Sequence, residues 1–178
     1  MDRFRSVFWL CAYYGLARYL PDSFSRPFGR LGNALRVACC RRLFKSCGRR
    51  VNIGRMAWFG RGEGVELGER SNIGAYCHVP SDIRIGCDVM MGPCNYFFEP
   101  VTHVFTRTDV PMIEQGVRRV SGRMEIADDV WIGRGCHILP CRRIGAHSIV
   151  GACSLVTKDV PEYGVVGGAP ARIIKFRK

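Results

Sequence analysis

The sequence lacks the features that mark several protein classes. Its 10 cysteines include no C-x-x-C pair, so neither a disulfide framework nor a cysteine-ligated metal site is expected. The apolar run near the N-terminus, Val7–Ala17, has 11 residues, whereas a helix needs about 20 to cross a bilayer. We therefore expect reduced and buried thiols, a cytoplasmic location and no bound metal.

The same run has some features of a signal peptide. Arg3 and Arg5 precede it, as basic residues do in such peptides. However, the run is crowded with aromatic residues and continues into a basic segment, so the sequence favours a protein that stays in the cytoplasm.

Acidic residues are scarce in the first 50 positions. Residues 1–50 contain 11 Lys and Arg against 2 acids, and residues 51–178 contain 16 against 13. The net charge of +12 therefore belongs mainly to the N-terminal segment. A charge confined to one segment favours an anionic membrane surface or an acidic partner over nucleic acid, for which no motif is present.

A period of six residues dominates the rest of the chain. Two runs place an apolar residue at every sixth position, at Leu67, Ile73, Val79, Ile85 and Met91 and again at Ile126, Ile132, Ile138, Ile144, Val150 and Val156. The following residue is glycine in 7 of these 11 units. A helix would repeat every three to four residues and a half-buried strand every two, so neither explains the pattern.

Such a period is typical of a chain that turns a corner after each short strand. The apolar side chain would fill the interior, and glycine would supply either backbone angles or close approaches that a Cβ forbids. Three sides make one coil of a parallel β-helix prism, and stacked coils bury each other's apolar residues. Ile53-Gly54 and Phe59-Gly60 are predicted as earlier, imperfect corners, with a two-residue slip before Leu67.

The two runs are out of phase, because Met91 and Ile126 are 35 positions apart. A segment of about residues 96–123 is therefore predicted to leave the prism as an excursion loop. Loops of this length in compact domains are usually functional. The apolar and aromatic residues in this one indicate docking rather than disorder.

Two helices are predicted before the prism, over Ser6–Leu20 and Gly29–Cys47. In the second helix Leu31, Leu35 and Ala38 share a face, while arginines, Arg36 among them, and Lys45 occupy the others. Residues 1–50 thus form a basic helical segment ahead of a β-helix domain over residues 51–178.

Two interpretations of this N-terminal segment stay open. A basic amphipathic pair of helices would hold the protein at an anionic membrane. Alternatively, the segment would cap the open end of the prism, which solenoid folds need.

Only one of the 4 histidines falls in the predicted excursion. His78, His137 and His147 lie inside the hexapeptide runs, where a lone histidine is more often a surface residue than a ligand. His103 is therefore the candidate for acid–base chemistry.

Several motifs resemble those of the hexapeptide-repeat acetyltransferases. Residues 128–133 read DDVWIG, residues 156–161 read VTKDVP and residues 168–172 read GAPAR. Together they are similar to the maltose, galactoside and xenobiotic acetyltransferase branch. Residues 103–109 (HVFTRTD), 111–116 (PMIEQG) and 13–18 (YYGLAR) resemble a subgroup that O-acetylates polysaccharides, including colanic-acid-type enzymes, so nearly the whole chain is covered.

This resemblance implies a left-handed β-helix, a homotrimer with each active site between two subunits, and acetyl transfer from acetyl-coenzyme A to a sugar or polysaccharide hydroxyl. The catalytic histidine of the family matches His103, whose neutral imidazole can take the hydroxyl proton during attack on the thioester. Glu114, with Asp109 as the alternative, is a local carboxylate that would orient it. No acyl-enzyme intermediate is required. Thr102 stands where many relatives carry asparagine, which leaves the acceptor sugar open.

The resemblance also implies a groove for acetyl-coenzyme A, whose phosphates call for cationic side chains. The residues that match this groove are Gly133, Ala152 and Thr157 for the arm and adenine, and Lys158, Arg172 and Lys175 for the phosphates.

Two other functions stay open. A hexapeptide carbonic anhydrase binds zinc through three histidines from adjacent subunits, and the nearest pair here is His137 and His147. A non-catalytic β-helix scaffold is the other alternative, and it would not need to bind coenzyme A.

Overall fold

The computed structural model describes the backbone of residues 3–178 and the side chains of residues 6–178. Residues 1 and 2 of the predicted basic segment, and the side chains of Arg3 and Arg5, lie outside this part. The elements, in chain order, are α1 (Arg3–Gly15), a 3-10 turn (Ala17–Tyr19), α2 (Gly29–Leu43), β1 (Ser46–Cys47), β2 (Asn52–Ile53), β3 (Glu66–Leu67), β4 (Asn72–Ile73), β5 (Ile83–Ile85), β6 (Met90–Met91), β7 (Tyr96–Phe97), β8 (Val101–His103), a 3-10 turn (Met112–Glu114), β9 (Val117–Arg119), β10 (Met124–Ile126), β11 (Trp131–Ile132), β12 (His137–Ile138), β13 (Arg143–Ile144), β14 (Ile149–Val150), β15 (Leu155–Val156), β16 (Gly164–Gly168) and β17 (Ala171–Phe176).

The short strands stack in parallel on three faces of a prism. Face one consists of β1, β3, β5, β10 and β13, and face two of β6, β11, β14 and β16 with the pair β2–β4 beside them. The side-chain amide of Asn72 on β4 joins that pair to β6, since it bonds both the N–H and the carbonyl of Met91. Face three consists of β7, β12 and β15 and begins with bridges between Trp58, His78 and Tyr96.

The pairing confirms the six-residue period. Leu67 pairs with Ile85, 18 positions later, and Ile132 with Val150, again 18 positions later. Three six-residue units therefore make one coil. All 11 apolar residues of the two runs are buried inside the prism, none more than 4% exposed.

At these corners glycine is needed because the backbones of neighbouring coils lie too close for a Cβ, and not because the backbone angles are unusual. A Cβ on Gly68 would lie 2.4 Å from the carbonyl carbon of Gly86, and one on Gly74 would lie 2.0 Å from the carbonyl oxygen of Gly92. At these two residues the structure shows this one of the two predicted reasons, because neither has a positive φ. At Gly60, in the earlier predicted corner, it shows the other, because φ there is +56°. Each coil thus stacks directly on the backbone of the next.

The left-handed backbone conformation is instead adopted three positions after the buried apolar residue. Most of the residues there are not glycine, although a Cβ costs about 1–2 kcal/mol in this conformation. The non-glycine residues with positive φ are Arg50, Met56, Arg70, Tyr76, Asp88, Cys94, Asp129, Cys141, His147, Cys153 and Tyr163.

The first coil is longer than the others. Ile53 pairs with Ile73, 20 positions later, so the predicted two-residue slip before Leu67 is confirmed. The two extra residues lie between Phe59 and Leu67, and both Phe59 and Val65 are fully buried there.

The two helices cover the N-terminal end of the prism. The Tyr13 hydroxyl donates to the Ala57 carbonyl at 2.9 Å and the Tyr14 hydroxyl to the Gly60 carbonyl at 2.8 Å. The rings of Phe44 and Phe59 pack edge to face with centroids 4.7 Å apart. The structure therefore supports the cap interpretation for the described residues up to Phe44. The predicted boundary after residue 50 is wrong, because Ser46–Cys47 already belong to face one of the prism.

Two expectations for the second helix are wrong. The helix ends at Leu43 rather than Cys47, because Ser46–Cys47 form β1 and pair with β3. Arg36, assigned to a charged outer face, is fully buried. Leu31, Leu35 and Ala38 do share a face, and that face points to solvent.

Arg36 is buried because backbone carbonyls surround its guanidinium. It donates to the carbonyls of Ile53, Ala17, Leu20 and Pro21 at 2.6–3.5 Å. Burial lowers the pKa of the guanidinium. This one side chain ties α2 to the first coil and to the turn after α1.

Replacing Arg36 with leucine is expected to lower the free energy of unfolding by about 3 kcal/mol, because several buried carbonyls lose their donor. Urea denaturation followed by circular dichroism would measure it. Arg30→Leu, six residues earlier on the same helix and exposed, is the matched control and should change stability by less than about 0.5 kcal/mol. Equal effects of the two changes would contradict the anchoring role of Arg36.

No helix of the described residues is both long and apolar enough to span a bilayer.

Candidate active site

A β-hairpin leaves the prism between β7 and β10. Ile85 pairs with Ile126, 41 positions later, so this coil contains 23 residues more than the regular 18. Tyr96–Phe97, at the predicted start of the excursion, still form β7 and pair with β12. The segment that projects is 98–123, and β8 and β9 pair antiparallel within it.

His103 ends β8 on this hairpin, opposite Val117 of β9. Its side chain is exposed. The hairpin continues past the histidine, because the Val104 N–H donates to the Gly116 carbonyl at 3.0 Å. The backbone hydrogen bonds between β8 and β9 therefore fix the position of His103 on the hairpin, outside the prism.

The hairpin tip is braced by its own side chains. The Gln115 amide accepts from the Arg107 N–H at 3.1 Å and donates to the Arg107 carbonyl at 2.8 Å and the Val110 carbonyl at 3.0 Å. The Arg107 guanidinium forms an ion pair with Asp109 and holds the pKa of that carboxyl below its usual range. The tip is thus held together by hydrogen bonds and an ion pair within the hairpin itself.

Neither predicted orienting carboxylate meets the histidine within one chain. Asp109 is engaged by Arg107, and Glu114, in the 3-10 turn, is exposed. Among the side chains of residues 6–178, His103 has no carboxylate within ion-pair distance. The structure brings His103 and Glu114 onto the same hairpin but not into contact.

The hairpin exposes large apolar side chains that its own prism does not cover. Ile113 is 89% exposed and Phe105 is 65% exposed. Met112 and Val117 are also mainly exposed. A cluster of this kind marks a surface that another molecule covers.

Arg123 fixes the return of the hairpin to the prism. Its guanidinium donates to Glu66 on β3 at 3.0 Å and to the Gly64 carbonyl at 2.6 Å, and it lies 2.6 Å from the Asp82 carboxylate. Lys45 and Arg123 together hold the pKa of the Glu66 carboxyl below its usual range. One side chain therefore connects the end of the hairpin to two earlier coils.

The other histidines belong to the prism. His78 stacks between Trp58 and Tyr96, with centroids 4.0 and 4.4 Å away, and burial lowers the pKa of its imidazole. His147 lies at a corner, 2.9 Å from the Asp129 carboxylate. His137 is exposed on face three, next to Tyr96 and Phe98.

Three of the predicted coenzyme residues line one cavity at the C-terminal end of the prism. Thr157, Lys158 and Arg172 surround a space of about 290 Å³ between the end of β15 and the strands β16 and β17. Both cationic side chains are exposed. The lining of this cavity carries two positive charges, one carboxylate (Asp159) and apolar walls, so its net charge is positive. A net positive charge beside apolar walls suits an anionic ligand with an apolar part.

The remaining predicted coenzyme residues lie elsewhere. Gly133 and Ala152 occupy the same corner of successive coils, between faces two and three, and a Cβ on Gly133 would lie 2.5 Å from the Ala152 nitrogen. Lys175 lines a different cavity of about 470 Å³ with Phe176 and Arg177. The six residues therefore form three groups on one chain.

Sequence reasoning missed two residues that bear on the hairpin. Arg123 reads as an ordinary surface arginine, and only the fold shows its carboxylate partners. Glu99 lies at the base of the hairpin, and burial raises the pKa of its carboxyl. No local pattern distinguishes either residue.

Within the described residues, no group of three or more His, Cys, Asp and Glu side chains is arranged to hold a metal ion. A zinc site shared between subunits would draw on other chains, which a single chain does not display.

The comparisons with known proteins agree with the repeat pattern. Residues 123–158 match the family described as bacterial transferase hexapeptide (six repeats). A solved hexapeptide-repeat-containing acetyltransferase from Vibrio cholerae has a TM-score of 0.72 and 30% identity, over 82% of this chain and 81% of that one. This chain belongs to the hexapeptide-repeat acetyltransferase family. The prism is accordingly the left-handed β-helix that the resemblance implies.

Two of the comparisons bear on the ligand. The same Vibrio cholerae acetyltransferase, solved from the O1 biovar eltor in complex with acetyl coenzyme A, has a TM-score of 0.73 and 27% identity, over 99% of this chain and 87% of that one. The galactoside O-acetyltransferase of Lactococcus lactis is 37% identical over 93 residues, which are 52% of this chain and 42% of that protein. The match thus spans less than half the length of this curated relative.

Proposed function

We propose that this hexapeptide-repeat protein transfers the acetyl group of acetyl-coenzyme A to a hydroxyl of a sugar or polysaccharide, with His103 as the general base. The observation that carries the proposal is the position of His103, on a hairpin that leaves the prism, in a chain that has a cationic cavity at one end. The acetyl-coenzyme A complex of the Vibrio cholerae relative supports the donor. The Lactococcus relative, a galactoside O-acetyltransferase, supports a sugar acceptor.

The proposed reaction is a direct transfer. The His103 imidazole takes the proton of the sugar hydroxyl while the hydroxyl oxygen bonds to the thioester carbonyl carbon. Backbone N–H groups stabilise the oxyanion of the tetrahedral intermediate. The carbon–sulfur bond then breaks, and the imidazolium returns its proton to the coenzyme A thiolate. No cysteine needs to carry the acetyl group.

We also propose that the chain forms a homotrimer, as the resemblance to the family implies. The exposed Ile113 and Phe105 on the hairpin need a cover that their own prism does not supply. A neighbouring prism would cover them and would place its groove residues beside His103, with Glu114 available to orient the imidazole. Gly133 and Ala152 would line this groove. The three groups of predicted coenzyme residues would then serve sites between different pairs of chains.

Removing the cationic side chains at the C-terminal cavity tests the donor. Lys158→Ala and Arg172→Ala are each expected to weaken acetyl-coenzyme A binding about tenfold, since each removes a charged hydrogen bond to a phosphate. Isothermal titration calorimetry would measure it. Lys175→Ala, in the neighbouring cavity, is expected to have a smaller effect.

The control ligand is acetyl pantetheine, which lacks the nucleotide phosphates. Its binding should not change in the Lys158 and Arg172 variants. Full acetyl-coenzyme A affinity in both variants would remove the phosphate-binding role of this cavity.

The acceptor is tested by incubating the protein with acetyl-coenzyme A and a panel of galactosides, glucosides and oligosaccharides, followed by mass spectrometry. One O-acetyl group on a sugar would support the proposal. A zinc enzyme would instead show about one zinc per chain by elemental analysis, and a scaffold would bind no coenzyme A.

A further inference from the structure

Half of the α2 surface has no partner among the side chains of residues 6–178. At 100° per residue, the buried residues of α2 fall on one side of the helix and the exposed ones on the other. Phe28, just before the helix, is 63% exposed, and Leu31 and Leu35 are 58% and 42% exposed. These three side chains, with the exposed Ala38, form an apolar stripe along the outer side of the cap.

Basic side chains border this stripe. Arg30, Arg41 and Arg42 are exposed on the same half of the helix. None of the three forms an ion pair with a carboxylate of residues 6–178. We call the four residues of the apolar stripe and these three basic residues together the α2 outer face.

Acidic residues do not occur in the surrounding sequence. No Asp or Glu lies between Ser23 and Gly62. The exposed Phe24, 89% accessible in the preceding turn, adds a further apolar side chain near the basic Arg26. The surface is therefore positive and apolar together, a combination that fits an anionic lipid surface better than an apolar protein groove.

The α2 outer face is held rigidly away from the prism. Arg36 ties the opposite side of α2 to the first coil through carbonyls of residues 17–21 and 53. The helix therefore cannot turn its apolar stripe inward without breaking these buried bonds. A ligand that covers the stripe has to approach from outside.

We propose that the α2 outer face docks the protein on an anionic phospholipid bilayer. The leucine and phenylalanine side chains enter the boundary between headgroups and acyl chains. The arginine side chains contact the lipid phosphates, and each basic residue near the membrane surface adds to the attraction. This interaction does not depend on the acetyl transfer proposed above.

The test uses the full chain and two kinds of vesicle, one of equal parts phosphatidylcholine and phosphatidylglycerol and one of phosphatidylcholine alone. Sedimentation should show binding to the first and little binding to the second. Arg41→Gln with Arg42→Gln should weaken binding to the anionic vesicles about 25-fold, or about fivefold for each charge. Leu31→Ser with Leu35→Ser should weaken it at least about tenfold.

The matched control is Arg84→Gln with Arg143→Gln, which removes the same charge from exposed positions on face one of the prism. This variant should bind as the parent does. Acetyl transfer to a water-soluble acceptor, measured in parallel, should stay unchanged in all three variants.

Three outcomes would overturn the proposal. The first is equal loss of binding in the control and the Arg41/Arg42 variant, which would indicate a response to net charge alone. The second is unchanged binding in the Leu31/Leu35 variant. The third is light scattering that shows a larger oligomer in the parent and its loss in the Leu31/Leu35 variant, which would make the α2 outer face a contact between copies of this chain.

Discussion

Replacing His103 with alanine is expected to lower kcat for acetyl transfer by about a hundredfold to ten-thousandfold, the range that general base catalysis contributes. The imidazole is the group proposed to take the proton of the attacking hydroxyl. Without it, the hydroxyl has to attack the thioester unassisted, and a neutral hydroxyl is a weak nucleophile. Release of coenzyme A thiol, followed with a thiol reagent, would measure it. Acetyl-coenzyme A affinity and the melting temperature should stay unchanged, because His103 is exposed and makes no side-chain hydrogen bond to residues 6–178.

His137→Ala is the control for this change, since His137 is also exposed but lies on the prism. It should retain most of the activity. A His103→Ala enzyme with parental kcat would refute the proposed mechanism, and a larger loss in His137→Ala would move the base to face three.

Arg123→Ala is expected to lower kcat about a hundredfold while changing the KM for acetyl-coenzyme A little. The side chain holds the return of the hairpin to β3 and β5 through Glu66, Asp82 and the Gly64 carbonyl. Without it, His103 would be displaced from the acceptor, and a displacement of about 1 Å can cost about a hundredfold in rate. Trypsin should also cleave faster at Arg118 and Arg119 on β9.

A second pair of variants separates positioning from general stability. Arg123→Lys keeps the charge and should restore part of kcat. Arg70→Ala breaks an exposed ion pair with Asp88 on another corner of the prism and should leave kcat and trypsin cleavage unchanged. Equal kinetic losses in Arg123→Ala and Arg70→Ala would show that any weakened ion pair has this effect.

The prism could be predicted from the sequence because its order is local and periodic. Each six-residue unit contributes one buried apolar residue, and the pairs Leu67 with Ile85 and Ile132 with Val150 follow from counting alone. The same counting located the insertion, since Met91 and Ile126 are out of phase. The sequence could not show which property of glycine matters at the corners, because that depends on the distance between coils.

The N-terminal cap was harder to predict for a physical reason. A helix pattern reports which residues share a face, but not which face is buried. Arg36 is buried because carbonyls of residues 17–21 and 53 converge on it, and this arrangement exists only in the folded chain. The end of α2 was missed because Ser46–Cys47 pair with β3, a contact between residues 20 positions apart.

The residues of the candidate site could be predicted from the sequence, but the way in which they come together could not. The motifs located His103, Lys158 and Arg172, and the structure places the first on the hairpin and the others at the end of the prism. Their meeting would require a second chain, and no pattern within one sequence gives the geometry between chains. Arg123 was missed because its role depends on partners about 40 to 60 positions earlier.

The final strand determines how far the stack of coils can grow. A parallel β-helix ends on a row of unpaired backbone groups that invites another copy to continue the ladder. Here β17 runs antiparallel to β16 along face two, so the last edge of that face is already occupied by a strand of opposite direction. A second copy stacked end to end therefore could not continue the parallel ladder of that face from β16.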